Sequence, residues 1–393
     1  MRELRKARLM QIGYLVHDLT DPAIARRIAM LSAGGASIAL AGLSRGPLTH
    51  PDALVLGRSA DGRLAQRVLQ IAAIVAGQRS AIVAHMGQPD VLIARNLEML
   101  AVAVSLLPRF RTRPRLVYEC LDIHRLLTEP GAAGRALRLL EKRLARHVDL
   151  VVTSSPAFVT HHLGRAFGAR IAIVENRVLE LGQRPLTSLY PSRIPPHPLP
   201  GPPWRIGWFG ALRCARSLDI LTEVARRAQG RIEIVIRGRP SPAIFGDFPA
   251  MIRGRPHMRF AGPYDMTDLG AHYAAIHFAW CVDLYEVGAN SDWLLPNRLY
   301  ESVHFGSIPI ARQNCETGRF LGRHDIGIAL PELSPEALLQ RLDRLGPEDY
   351  RALLARQHRL PRSMWMADRN DCVALARTLA NGSASPAQRR VTT

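Results

Sequence analysis

The chain has 393 residues, 47% of them hydrophobic, with 52 Lys or Arg against 33 Asp or Glu and a formal net charge of +19. That length exceeds one ordinary core and predicts two domains, and the apolar content is ample for globular packing. Five cysteines without paired spacing argue against a zinc site or disulfide framework, and no run of 18 apolar residues reads as a membrane span.

The basic start MRELRKARLM leads into an apolar run ending at His17-Asp18 with no small-residue cleavage site. This predicts a first strand rather than a signal peptide, and a cytoplasmic protein. Only Lys6 and Lys142 are lysines, a skew that reflects coding bias. Bias explains Arg in place of Lys but not the excess of base over acid. A surface this basic attracts nucleic acid, anionic lipid or phosphorylated ligands.

Strands and helices alternate through the first half. Strands are predicted at 10–16, 36–43, 91–95, 116–119, 150–153 and 171–174. Helices are predicted at 23–32, 63–75, 97–107, 135–147 and 156–163. The apolar stretches Val68–Gly77 and Leu97–Leu107 are read as helices against a sheet. Helices of this length between strands imply right-handed crossovers and a parallel sheet. Eight prolines between Pro185 and Pro203 forbid ladder and helix and predict a linker. The alternation resumes at Trp204. The predicted organisation is a domain over 1–184, a Pro-rich linker over 185–203, a second α/β domain over 204–362, a C-terminal helix over 363–380 and a disordered tail over 381–393. Two such domains would set the carboxyl ends of both sheets beside a cleft, where ligands bind.

Several residues could carry chemistry. Gly207 and Gly210, at a strand-to-helix turn, would let backbone approach a phosphate, though this is not a G-x-G-x-x-G fingerprint. Arg237 is expected on the same rim, and Asp283 at a strand end could bind a sugar hydroxyl. Asn297, Arg298 and Glu301 fall within one helical turn near a helix start that Gly306 and Pro309 bring to a stop. Arg298 offers a rigid fork for phosphate oxygens and Glu301 an acceptor for ribose hydroxyls, unless they form a plain surface pair. In the first half, Asp122 or His124 of YECLDIH could deprotonate an attacking hydroxyl, and His17-Asp18 is the next candidate. On the helix 135–147, Arg135, Arg138, Lys142 and Arg146 share one face and Leu137, Leu140, Leu144 and Val148 the opposite one. The apolar stripe is read as core and the basic one as a solvated face or a dock for anionic head groups. No Asp-x-Asp occurs, so a metal-independent site is expected.

The chain resembles bacterial GT-B glycosyltransferases, nearest to those of exopolysaccharide assembly such as succinoglycan synthesis. The motif PNRLYESVHFGSIPI carries the likeness, with IGWFG, YECLDIH, VTSSPAF and VENRV in support. The resemblance implies two Rossmann-like doubly wound domains facing a cleft, with Arg298 on the donor diphosphate and Glu301 on the ribose. It implies a nucleotide-sugar co-substrate, UDP-glucose being the expected one, and no further cofactor. It implies a polyprenyl-diphosphate-linked saccharide acceptor at the inner-membrane surface, and no nucleic acid. One departure stands out. Many retaining relatives carry a second glutamate eight residues before the ribose-binding one, and here that position is Trp293. Asp122 would then suit an inverting reaction. The rival readings are a sugar-nucleotide epimerase of the same fold, a basic nucleic-acid-binding protein and a non-catalytic partner subunit.

Overall fold

The computed structural model describes residues 9–46, 48, 50–58, 64–123, 125–168, 170–182 and 197–381. His124, most of the expected linker and nearly all of the expected tail lie outside the described residues.

The chain forms two compact units, one within Met1–Glu175 and Asp368–Thr393, the other Asn176–Ala367. The first holds β1 (Met10–Val16), β2 (Ala36–Ser44), β3 (Leu54–Arg58), β4 (Val91–Arg95), β5 (Arg115–Glu119), β6 (Leu150–Thr153) and β7 (Ile171–Ile173). They lie in the order β3-β2-β1-β4-β5-β6-β7, and every pairing is parallel. In the second unit, β8 (Val178–Leu179) pairs far along the chain with β15 (Met366–Ala367). Between them run β9 (Trp204–Leu212), β10 (Ile232–Pro240), β11 (Met258–Phe260), β12 (Phe278–Trp280), β13 (Ile308–Arg312) and β14 (Ile328–Leu330). These form a second parallel sheet, ordered β11-β10-β9-β12-β13-β14. Each sheet reverses winding direction beside its first strand, at β1/β4 and at β9/β12. Such switch points leave a crevice at the strands' carboxyl ends.

Local sequence explains the elements. In β9 the alternation puts Trp204, Ile206 and Trp208 into one core, while Phe209 joins the core on the other face. The helix α1 (Pro22–Ala33) starts where the Asp21 carboxylate accepts the Ala23 N–H at 2.9 Å, with Pro22 in its first turn. It is followed by α2 (Leu64–Gly77), α3 (Arg79–Met86), α4 (Asn96–Leu106), α5 (Arg125–Thr128) and α6 (Ala132–Ala145).

Two expectations are corrected here. The C-terminal helix is not a separate element: as Arg369–Asn381 it packs on α1 within the first unit. On α6 the buried positions are Gly134, Glu141, Leu144 and Ala145, while Leu140 is exposed. Arg138 turns inward to donate to the carbonyls of Leu127 and Glu129 at 3.0 and 3.1 Å. Those carbonyls at the end of α5 rotate the helix away from the arc that counting leucines selects.

A buried ion network ties the first unit together. Glu119, at the end of β5, is 2% exposed. It accepts from Arg27 Nε at 2.6 Å and from the Tyr14 hydroxyl, and Arg95 of β4 lies 3.6 Å away. Burial alone would raise the Glu119 carboxyl, but Arg27 and Arg95 outweigh it and hold it below the usual range.

Candidate functional site

The helix Asn297–His304 begins after Pro296 and ends before Gly306, whose φ of +83° suits glycine. Its first turn sets Arg298 against the switch point of the second sheet. Arg298 Nη1 donates to the Phe209 carbonyl of β9 at 3.4 Å, and Nη2 to the Val282 carbonyl just beyond β12 at 3.2 Å. The two backbone contacts hold the fork in place, and its Nε–H has no hydrogen-bond partner. Asn297 stands exposed at the helix start, among the N–H groups that a helix leaves unpaired.

Asp283 lies 3.9 Å from Arg298 and 3.9 Å from Arg213. Its carboxylate also accepts from Ser291 Oγ at 2.7 Å and from the Tyr285 N–H at 2.9 Å. Burial would raise this carboxyl, but Arg298, Arg213 and the two hydrogen bonds together keep it below its ordinary range. It is therefore an anion at neutral pH. Two guanidiniums against one carboxylate leave the cluster with a formal charge of +1. Arg213 was not among the sequence candidates. It lies in the loop after β9, and its guanidinium sits 5.0 Å from the Tyr285 ring centroid. A basic residue three positions past Gly210 was the available signal.

Glu301, one turn past Arg298, is 7% exposed and accepts the Tyr273 hydroxyl at 2.9 Å. Burial, then Glu301, raises Tyr273 far above the usual phenol range, so it remains a donor. Tyr273 packs edge-on to Phe209 at 5.1 Å.

The glycines divide. β9 runs on to Leu212, so the turn expected at Gly210 is strand, and Gly207 lies five residues before the strand's end. A Cβ there would meet Ile276 Cδ1 at 2.4 Å, so its smallness serves packing. Gly210 has φ +109° and pairs in register with Gly238, whose φ is +137°. A Cβ on Gly238 would lie 1.8 Å from the Gly210 carbonyl oxygen. Gly238→Ala is therefore expected to cost about 3 kcal/mol by overpacking backbone against backbone. Thermal unfolding checks this; an unchanged midpoint would contradict it.

β10 continues to Pro240, so Arg237 lies within the strand, three residues before its end. It donates to the Ala261 carbonyl at 3.1 Å. It lines a groove of about 480 Å³ with Arg259, His272, Phe209, Arg205 and Glu233. Arg213, Asp283 and Arg298 do not line this groove, although Phe209, whose carbonyl Arg298 contacts, does.

Burial and then Arg237 push His272 down to about 4. Burial also lowers His17, His277 and His304. These imidazoles stay neutral when folded, whereas the unfolded chain protonates them near pH 6.5. Their depressed values mean that stability is full above about pH 6.5 and is lost as pH falls toward the folded values. The unfolding midpoint is expected to fall steadily from pH 7 to pH 4.5. A flat profile across that window would contradict the burial assigned to them.

In the first unit, Asp122 is exposed in the turn after β5. His17 directly follows β1 and is close to Arg95, Asp21, Glu98 and Asp18.

Residues 23–177 match the family described as glycosyl transferase 4-like domain. The succinoglycan biosynthesis protein ExoL of Rhizobium meliloti is 46% identical over 382 residues, covering 95% of this chain and 94% of that protein. Among solved structures, sucrose-phosphate synthase of Thermosynechococcus elongatus superposes with a TM-score of 0.68 at 14% identity, covering 95% of this chain and all of that one. Anabaena HepE in complex with UDP and glucose gives 0.64 at 16%, covering 94% and 98%. A candidate UDP-N-acetylglucosamine 2-epimerase of Listeria monocytogenes gives 0.58 at 13%, covering 96% and 99%. At such identities the structures show the fold, and transferases and an epimerase share it. Two parallel doubly wound sheets and a relative alike over nearly the whole length lead to one assignment: the chain belongs to the ExoL family of GT-B glycosyltransferases of exopolysaccharide biosynthesis.

Proposed function

We propose that the second unit binds a nucleoside diphosphate sugar, UDP-glucose first among them, and that the enzyme passes its hexose to a polyprenyl-diphosphate-linked saccharide at the inner-membrane surface. The observation that carries this reading is the Arg213–Asp283–Arg298 cluster at the sheet's switch point, an excess cation held where such folds take ligands. HepE supports the donor, since its structures are complexes with UDP-glucose or its parts.

In the proposed reaction the leaving diphosphate gains negative charge as the anomeric C–O bond breaks. Arg298 and Arg213 offset that charge, with the N–H groups at Asn297 adding to it, and no metal is needed. Glu301, fixed by Tyr273, accepts from the ribose. Asp122 takes the proton of the acceptor hydroxyl as that oxygen bonds the anomeric carbon; His124 is the other candidate base.

The test is transfer from a panel of labelled nucleotide sugars to lipid-linked acceptors. UDP-glucose is expected to be the best donor. Asp122→Asn should lower turnover roughly 100-fold or more while donor affinity is kept. Undiminished turnover would remove Asp122 from the reaction, and conversion of donor without acceptor would point to an epimerase.

A further inference from the structure

The helix α2 is apolar on its outer side as well as its inner one. Its inward positions carry Arg67, paired with Glu98 of α4 at 3.3 Å, and Gln70, which donates to the Arg58 carbonyl at 2.8 Å, beside buried Ile74. Its outward arc carries Val68, Leu69, Ala72, Ala73 and Ala76, all exposed and apolar, with Gln66 the polar side chain at its start and no charged one among the described residues. Leu69 is 69% exposed and Val68 55%. A helix facing water places charge there.

On α6, Leu139 and Leu140 also face outward, at 58% and 41% exposure. Around them on the exposed arc stand Arg135, Lys142, Arg143 and Arg146. The helix's one acid, Glu141, is turned inward and buried against His162 at 2.8 Å. Leucines flanked by cations on an exposed arc form the pattern of a helix lying in a bilayer interface.

The two faces belong to one layer. The connections from β3 to β4 and from β5 to β6 step across the sheet in the same direction, so right-handed crossovers put α2 and α6 on the same side. Both pack against α4. Among the described residues no single helix is long and apolar enough to cross a membrane, and α3 bends 71° away from α2. It also buries Ile82 and Met86 in the first unit, which holds the pair on the protein.

We propose that the outward arcs of α2 and α6 dock the chain on an anionic lipid bilayer, with the apolar residues entering the interface and the cations meeting the head groups. This rests on the reading of a lipid-linked acceptor, and it names the surface that would bring the enzyme to it. A second copy of the chain is a poorer occupant, because a two-fold interface would press the α6 cations against their equivalents.

The experiment is flotation of the full chain with phosphatidylcholine vesicles, with and without phosphatidylglycerol. Wild type should bind the anionic vesicles far better, and less so in high salt. Each cation near such a surface is worth about fivefold, so Lys142→Glu with Arg143→Glu should weaken binding by about 25-fold or more. Val68→Ser with Leu69→Ser should weaken it at least about tenfold, with the unfolding midpoint and UDP-glucose affinity unchanged. Wild type that ignores anionic vesicles, or variants that bind like wild type, would overturn the proposal. A dimer made monomeric by the serine pair, with no vesicle binding, would give the face to a second copy. Vesicle binding as expected without nucleotide-sugar binding would leave this inference standing and remove the donor reading.

Discussion

Arg298→Ala is expected to lower kcat/KM for the nucleotide sugar by roughly 100- to 1,000-fold, the loss typical of a donor aimed at developing charge. Much of the loss should fall on kcat, because diphosphate charge grows as the sugar departs. The side chain also links the Phe209 and Val282 carbonyls, so alanine frees two backbone acceptors at the switch point. Arg298→Lys separates the two roles. A lysine keeps the charge but cannot span both carbonyls, so partial activity is expected, well below wild type. Steady-state kinetics with UDP-glucose checks both variants. Wild-type kinetics in the alanine variant would remove Arg298 from the donor site.

Glu119→Gln should be the most damaging single change to stability. It leaves Arg27 and Arg95, 7% and 4% exposed, without their central counter-charge. Removing one partner of a buried ion network costs about 3–5 kcal/mol. For a unit of this size that lowers the unfolding midpoint by roughly 10 °C. The Glu119 carboxyl is depressed in the folded state, so its contribution is present above the unfolded value near 4.5 and lost as pH falls through the folded one. Glu119→Gln should accordingly differ most from wild type at neutral pH and approach it in acid. A variant as stable as wild type at pH 7 would contradict the network's role.

The fold was legible because apolar runs alternated with helix-length patterns, and the interruption near Pro185–Pro203 fell between the two sheets. Asn297, Arg298 and Glu301 were legible as neighbours because one helical turn is a local rule. Contacts between distant segments were not. Tyr273 reaches Glu301 across 28 positions, and Arg27 reaches Glu119 across 92. No local period reports such pairs. The ends of β9 and β10 were misjudged for one reason: each strand runs past the point where glycine suggested a stop, since the paired glycines Gly210 and Gly238 continue the ladder. The α6 arc was misjudged because leucines stand on both sides of that helix, and only the carbonyls of Leu127 and Glu129 decide which side turns in. The apolar outer arc of α2 is invisible to composition, which sees an apolar segment whichever side faces out.

The central claim concerns where the activated sugar binds, and amide hydrogen exchange of the full chain with and without UDP tests it most directly. Protection is expected in three segments of the second unit: the loop after β9 through Arg213, the stretch from Val282 to Ser291, and the first turn of the helix Asn297–His304. Protection confined to the first unit, or none at saturating UDP, would contradict the account.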